Sequence, residues 1–176
     1  MAYTSTDIVA RAQWKAMDTK GSDAMKTPVK IVFVHHTAGK HTTTQQEGSE
    51  TVRAIQNFHM DDRKWDDIGY NFLVGEGGHV FEARGWDRVG AHTKGWNGVS
   101  VAFSIMGNFE EDESHPDIRA LKAVLGMIQL GIEMGKISQD YKLYGHRDVG
   151  ATACPGKNLY KVIQTWDHYS QEKPTK

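Results

Sequence analysis

The chain has 176 residues, with 21 Lys and Arg against 22 Asp and Glu, for a formal net charge of −1. That length makes one domain with a core large enough to stand without covalent staples. Near-neutral charge excludes the basic face that nucleic acid demands, and no stretch of about 18 apolar residues is present to span a membrane.

Residues 1–28 are polar and broken by Gly21 and Pro28. They read as an N-terminal wrapping segment with one short helical turn around Asp7–Lys15, pinned by Trp14. Met1 to Thr6 hold no apolar signal core, which places the protein in the cytoplasm, or outside the cell if a signal has been removed. Val29–Val34 alternates at first and then turns wholly apolar, the pattern of a buried strand. Residues 38–48 are rich in Thr, Gln and Gly and read as a loop. Val52, Ile55 and Phe58 recur at three-residue spacing and predict a helix over 47–60. Asn71–Val74 and His79–Ala83 flank Gly75-Glu76-Gly77-Gly78 and predict a hairpin. Val99–Met106 is a continuous apolar run, expected as a central strand. Ile118, Leu121, Leu125, Ile128 and Ile132 mark a long amphipathic helix. Tyr141–Tyr144 predicts a short strand, and Leu159, Val162, Ile163 and Trp166 a final helix. The chain after Tyr169, with 171–176 as its tail, is expected to fray. Strand, helix, three strands, helix, strand, helix is the order of a single-domain α/β fold, a central mixed sheet flanked by helices over 29–170.

The chemistry-bearing residues are few. His35 ends the first apolar run, at the strand end where sites gather in open α/β sheets. Alternation sends His36 to the opposite face, so at most one of the pair serves a given site. His146 and Cys154 share the stretch Gly145–Gly156. Cys154 is the only cysteine, so an internal disulfide is excluded. A lone cysteine reads as a small buried hydrophobe, a metal ligand or a nucleophile; Pro155 and Gly156 set this one in a turn. Two imidazoles and a thiolate make a three-ligand set for zinc, with a fourth position left open as in catalytic sites. Nothing near Cys154 supplies the close cluster of a blue-copper centre, and the Pro-Cys-x-x-Cys pair of zinc deaminases is absent. The rival reading is a hydrolase with Cys154 as nucleophile, His146 as base and Asp148 as orienter. Tyr70 and Thr152 read either as hydroxyls turned toward a developing oxyanion or as a core aromatic and a turn threonine.

Seven stretches carry a resemblance: Ile31–Ala38, Val52–Met60, Trp65–Gly75, Val80–His92, Gly145–Val149, Cys154–Gly156 and Ile163–His168. In this order and spacing, across about residues 8–169, the chain resembles the peptidoglycan recognition proteins, which share a domain with phage amidase-type lysozymes and bacterial type-2 amidases. The resemblance implies one catalytic zinc ion on His35, His146 and Cys154, with Tyr70 as the catalytic tyrosine. Thr152 falls where phage enzymes carry a lysine and animal amidases commonly a threonine. The implied reaction is hydrolysis of the amide between N-acetylmuramic acid and L-alanine of peptidoglycan, in antibacterial innate defence. Members that only bind peptidoglycan usually lack the cysteine, so an active amidase is favoured over a non-catalytic recognition module.

By the same resemblance, His59, Arg63, Tyr70, His92 and Asn97 match residues that contact the muramyl-peptide. Arg84 matches an arginine associated with the diaminopimelate carboxylate, and His36 is counted with the groove candidates. Diaminopimelate-preferring members tend to carry Gly-Trp before the aspartate, and lysine-type binders Asn-Phe. Here the pair is Lys64-Trp65: Trp65 and Arg84 point to diaminopimelate, and Lys64 departs from the pattern. Animal members generally clip the loop after the His-His-Thr motif with a small disulfide, at positions that correspond to Thr42 and Gly48. Its absence predicts a less constrained loop. The expected partners are muramyl-peptides, with no nucleic acid or membrane, and the expected state is a monomer.

Overall fold

A computed structural model describes residues 3–176; Met1 and Ala2, the start of the predicted wrapping segment, lie outside the described residues. Six strands form one sheet: β1 Ile8–Val9, β2 Val29–His36, β3 Phe72–Val74, β4 Val80–Glu82, β5 Ser100–Ile105 and β6 Ile137–Gly145. Their order is β1-β4-β3-β5-β2-β6. Only the β3–β4 hairpin is antiparallel; the other pairings are parallel, giving the mixed sheet expected. Three helices cover it: α1 Gln45–Asn57, α2 Ile118–Glu133 and α3 Lys157–Ile163.

β2 and β5 sit in the middle because both faces of each are buried, as near-continuous apolar runs require. On one face, Val32, Val34, Phe103 and Ile105 pack with α2 and α3. On the other, Ile31, Phe33, Ala102 and Tyr144 form a smaller cluster, and His35 continues that face toward the strand end. Across the sheet, His35 is level with Ser104 and Val34 with Gly145. His146 directly follows Gly145, so parallel register alone brings His35 and His146 to one edge.

α1 begins at Gln45 and is closed by a capping box: the Thr44 hydroxyl accepts from Glu47 N at 3.1 Å and Glu47 Oε1 accepts from Thr44 N at 3.2 Å. Gly48 lets the helix lie on the sheet, since a Cβ there would stand 2.3 Å from the Phe81 ring. The predicted helix to residue 60 instead stops at Asn57 and widens into a π turn, Phe58–Asp62. That turn buries His59 and leaves Phe58, expected on the apolar stripe, exposed.

Other expectations need correction. In α2, Leu121 and Ile128 are buried as expected, but Ile118 and Leu125 are exposed, and the buried face also takes in Ala120, Ala123, Val124 and Met127. The N-terminal segment adds a short 3-10 turn at Ser5–Asp7 and the two-residue strand β1 before the expected turn, which closes over residues 10–16 with Trp14 N donating to Ala10 O at 3.2 Å. Trp14 does pin it, fully buried with its indole donating to Glu82 O at 2.7 Å. β6 is longer than the predicted 141–144. The chain as far as Ser170 is held against it: Leu143 N donates to His168 O at 2.9 Å and Ser170 N to Leu143 O at 3.1 Å. The loop after His36, though without a disulfide, is anchored by Thr42, which is buried and whose carbonyl accepts from Glu76 N at 2.8 Å.

Candidate metal centre and groove

Three side chains converge at the C-terminal ends of β2 and β6. Ligand atoms of His35, His146 and Cys154 all lie within 4.8 Å of one another, and Cys154 Sγ is 3.4 Å from His35 Nδ1 across 119 residues of sequence. The loop that carries two of them is held by its own backbone: Arg147 N donates to Cys154 O at 2.9 Å and Gly156 N to Ala153 O at 2.7 Å. The Arg147 guanidinium also reaches Ala153 O, and Glu110 Oε2 at 3.2 Å.

Asp148 anchors the same loop from below. One carboxylate oxygen accepts from Gly145 N at 2.8 Å; the other accepts from Tyr160 at 2.6 Å and Tyr169 at 3.0 Å. Its oxygens are thus engaged away from His146, and the orienter of the rival cysteine-nucleophile reading is not in place. Burial also pushes the Cys154 thiol up to about 12, the opposite of the depressed value a nucleophilic cysteine needs.

The electrostatics favour neutral imidazoles. His35 is fully buried, and burial, followed by the fields of His92, His146 and His36, holds it well below the ordinary histidine value. Burial lowers His146 as well. Neutral imidazoles are the state a cation requires.

A cleft of about 430 Å³ opens over these residues. Among the expected site residues, His35, His36, His59, Arg63, Trp65, Tyr70, His92, His146, Thr152 and Cys154 line it. Tyr70 packs against His35 at 5.4 Å between ring centroids; burial, then the neighbouring Cys154, raises its hydroxyl to about 12, so it stays a donor. His59, lowered to about 4 by burial, accepts from Gly69 N at 2.9 Å and packs at a tilt against Trp65, 4.6 Å between centroids. Arg63 lies over both the Phe58 and Trp65 rings, 5.1 and 5.0 Å from their centroids. The Thr152 hydroxyl accepts from Cys154 N at 3.1 Å. His36 turns its imidazole away, as alternation predicts: Nδ1 accepts from Phe109 N at 3.1 Å, and its carbonyl faces the Cys154 thiol at 3.8 Å.

Three expected groove residues stand apart from the lining. Arg84 spends its guanidinium on the carbonyls of Ile68, Val89 and Asp67, at 2.8, 2.9 and 3.4 Å; it braces the chain behind Tyr70 instead of presenting a free fork. Asn97 accepts from His92 N and Thr93 N, both at 2.8 Å, and so shapes the turn that carries His92. Lys64 is exposed at the rim. Sequence reasoning passed over Thr93, whose hydroxyl is 3.0 Å from His35 Nε2 and 2.8 Å from His92 Nδ1; the available signal was its position beside His92. It also passed over Phe58 as a groove wall.

Residues 25–157 match the family described as N-acetylmuramoyl-L-alanine amidase. Peptidoglycan recognition protein 1 of Mus musculus is 39% identical over 172 residues, covering 97% of this chain and 93% of the relative. Peptidoglycan-recognition protein SC1a of Drosophila melanogaster is 37% identical over 163 residues, covering 93% and 87%. The chain belongs to the peptidoglycan recognition protein family. Among solved structures, the ectodomain complex of peptidoglycan recognition proteins LCa and LCx bound to tracheal cytotoxin matches with a TM-score of 0.91 and 43% identity over 94% of this chain and 99% of that one. Drosophila PGRP-LB matches with a TM-score of 0.91 and 31% identity, over 96% and 98%. Lys64 has φ of +61°, the left-handed conformation that glycine and asparagine adopt most readily. Gly-Trp and Asn-Phe pairs satisfy that turn without strain, and this chain departs from them with a charged side chain.

Proposed function

We propose that this protein is a zinc-dependent N-acetylmuramoyl-L-alanine amidase that binds muramyl-peptides of peptidoglycan and acts in antibacterial innate defence. The observation that carries the reading is the meeting of His35, His146 and Cys154 at the floor of the cleft, beside Tyr70. The donor set fits zinc. Bonds of about 2.0–2.3 Å in a tetrahedral site set ligand atoms about 3.3–3.6 Å apart. The His35–Cys154 pair is already at 3.4 Å. Three protein donors leave a position open for chemistry. When bound, zinc supplies Lewis-acid polarisation and a nucleophilic water at neutral pH.

The chain's own residues supply the rest. Tyr70, protonated at neutral pH, donates to the oxygen on which charge develops; removing such a donor typically costs about 100- to 1000-fold in rate. Thr152 presents a second hydroxyl from the loop. Phe58, Arg63, Trp65 and His59 form a wall on which a sugar ring and peptide backbone can lie. Lys64 places a cation at the rim, suited to a stem-peptide carboxylate. The substrate class is supported by peptidoglycan recognition protein LE, 38% identical, solved in complex with tracheal cytotoxin, a monomeric diaminopimelic acid-type peptidoglycan.

The test is release of stem peptides with free N-terminal alanine from diaminopimelate-type and lysine-type peptidoglycan, with chelator and with zinc restored. Zinc-dependent release, lost in Cys154→Ser while binding persists, is expected. Binding without cleavage in any metal would make the protein a recognition module; cleavage that survives chelation would remove the metal from the mechanism.

A further inference from the structure

We infer that Thr93 is a positioning residue whose single hydroxyl joins the metal ligand His35 to the groove histidine His92 and fixes the proton on both rings. The inference rests on the zinc reading above. His35 turns Nδ1 toward Cys154 Sγ at 3.4 Å, so its metal-facing nitrogen is Nδ1 and its proton sits on Nε2. Nε2–H therefore donates to Thr93 Oγ1 at 3.0 Å. A hydroxyl has one proton to give. With His35 donating to it, the Thr93 hydroxyl is free to donate to His92 Nδ1, 2.8 Å away. That leaves the His92 proton on Nε2.

The surroundings hold this relay in place. Thr93 is 1% exposed, and Asn97 Oδ1 accepts from both the His92 and Thr93 amides. The His92 ring packs edge-on against His35 at 5.4 Å and against Phe33 at 6.3 Å. Gly90 leaves room for it, since a Cβ there would meet the ring at 2.6 Å. Among the described residues, His92 Nε2 is a buried ring nitrogen with no hydrogen-bond partner, on a residue that lines the cleft. A buried donor short of an acceptor calls for explanation. That nitrogen has less than 1 Å² exposed and faces the space left by the missing Gly90 side chain, so the proton that Thr93 assigns to it is held out of reach of solvent. Thr93 thus couples metal occupancy at His35 to the tautomer of His92. It is the outer partner through which a ligating histidine is oriented, and losing such a partner typically costs about 10- to 100-fold in metal affinity.

The test combines imidazole ¹⁵N NMR on the zinc-loaded protein with zinc affinity by chelator competition, in wild type, Thr93→Val and Thr93→Ser. Wild type should show His92 protonated on Nε2. Thr93→Ser should keep that tautomer and the affinity. Thr93→Val should lose the single tautomer and weaken zinc about 10- to 100-fold. His92 protonated on Nδ1 in zinc-loaded wild type overturns the relay, even if the valine variant does not fold. Unchanged tautomer and affinity in a folded Thr93→Val overturn it too. A protein that takes up no zinc fails the parent reading and takes the relay with it.

Discussion

Cys154 enters the folded protein as a protonated thiol. Burial holds it at about 12, whereas His35 and His146 are held below the ordinary value by burial first of all. A metal must therefore displace one proton, the thiol's, and none from the imidazoles. At about pH 6.5, zinc binding is expected to release one proton per ion, so affinity climbs about tenfold per pH unit. Calorimetry in buffers of different ionisation enthalpy reads that number directly; a release of zero would mean that the thiol is not a ligand. Lys64 carries the second residue-scale prediction. A side chain at φ +61° costs about 1 kcal/mol or more in backbone strain. Lys64→Gly is expected to stabilise the protein by about 0.5–1 kcal/mol, read as a higher urea midpoint; a destabilised variant would show that the lysine's contacts outweigh the strain. His35, His146 and Cys154 stood out in sequence as a candidate metal set because their residue types are scarce and one is the only cysteine. Thr93 was not, since a buried threonine and an exposed one look alike in sequence. Arg84 was visible as a charge, but only the fold shows that neighbouring carbonyls occupy its guanidinium.

At the scale of elements, α1 leads into the turn that walls the groove and lines the cleft itself through Ile55, and its start is set by Thr44 and Glu47. Thr44→Ala removes the cap and is expected to cost about 1 kcal/mol, measurable by thermal melting. A change within error would show that the helix start is held by the preceding loop alone. Strands were the more legible elements, because β2 and β5 are buried on both faces and read as apolar runs. Helix ends were less so. The spacing of Val52, Ile55 and Phe58 continues smoothly through Asn57, and nothing local announces the π turn that swings His59 inward and Phe58 outward. In α2, large apolar residues drew the predicted stripe toward Ile118 and Leu125, whereas the buried face also takes in Ala120 and Ala123. The pairing of Ile8–Val9 with Val80–Phe81 is tertiary in origin: two residues are too few to carry a periodicity.

For the molecule as a whole, the buried histidines set the response to acid. His36 and His59 are held at about 4 and His92 at about 3, in each case chiefly by burial. Their folded values lie below the unfolded value of about 6.5, so the unfolded chain takes up protons first. Stability of the metal-free protein is therefore complete above that value and falls as pH drops from about 6.5 toward 4. Urea unfolding across that range should show a steadily falling midpoint, and a flat profile would mean that these rings are not buried neutral in solution.

The two borders of the sheet have a consequence for crowding. β1 closes one border with two residues, and on the other, residues 168–170 meet β6 at Tyr141 and Leu143, while the exposed positions of that strand include Gln139, Asp140 and Lys142. Bare strand borders are templates for stacking one copy onto the next. Copies held at high local density on a repeating polymer would meet charged and amide side chains at the β6 border, which disfavours stacking strand on strand.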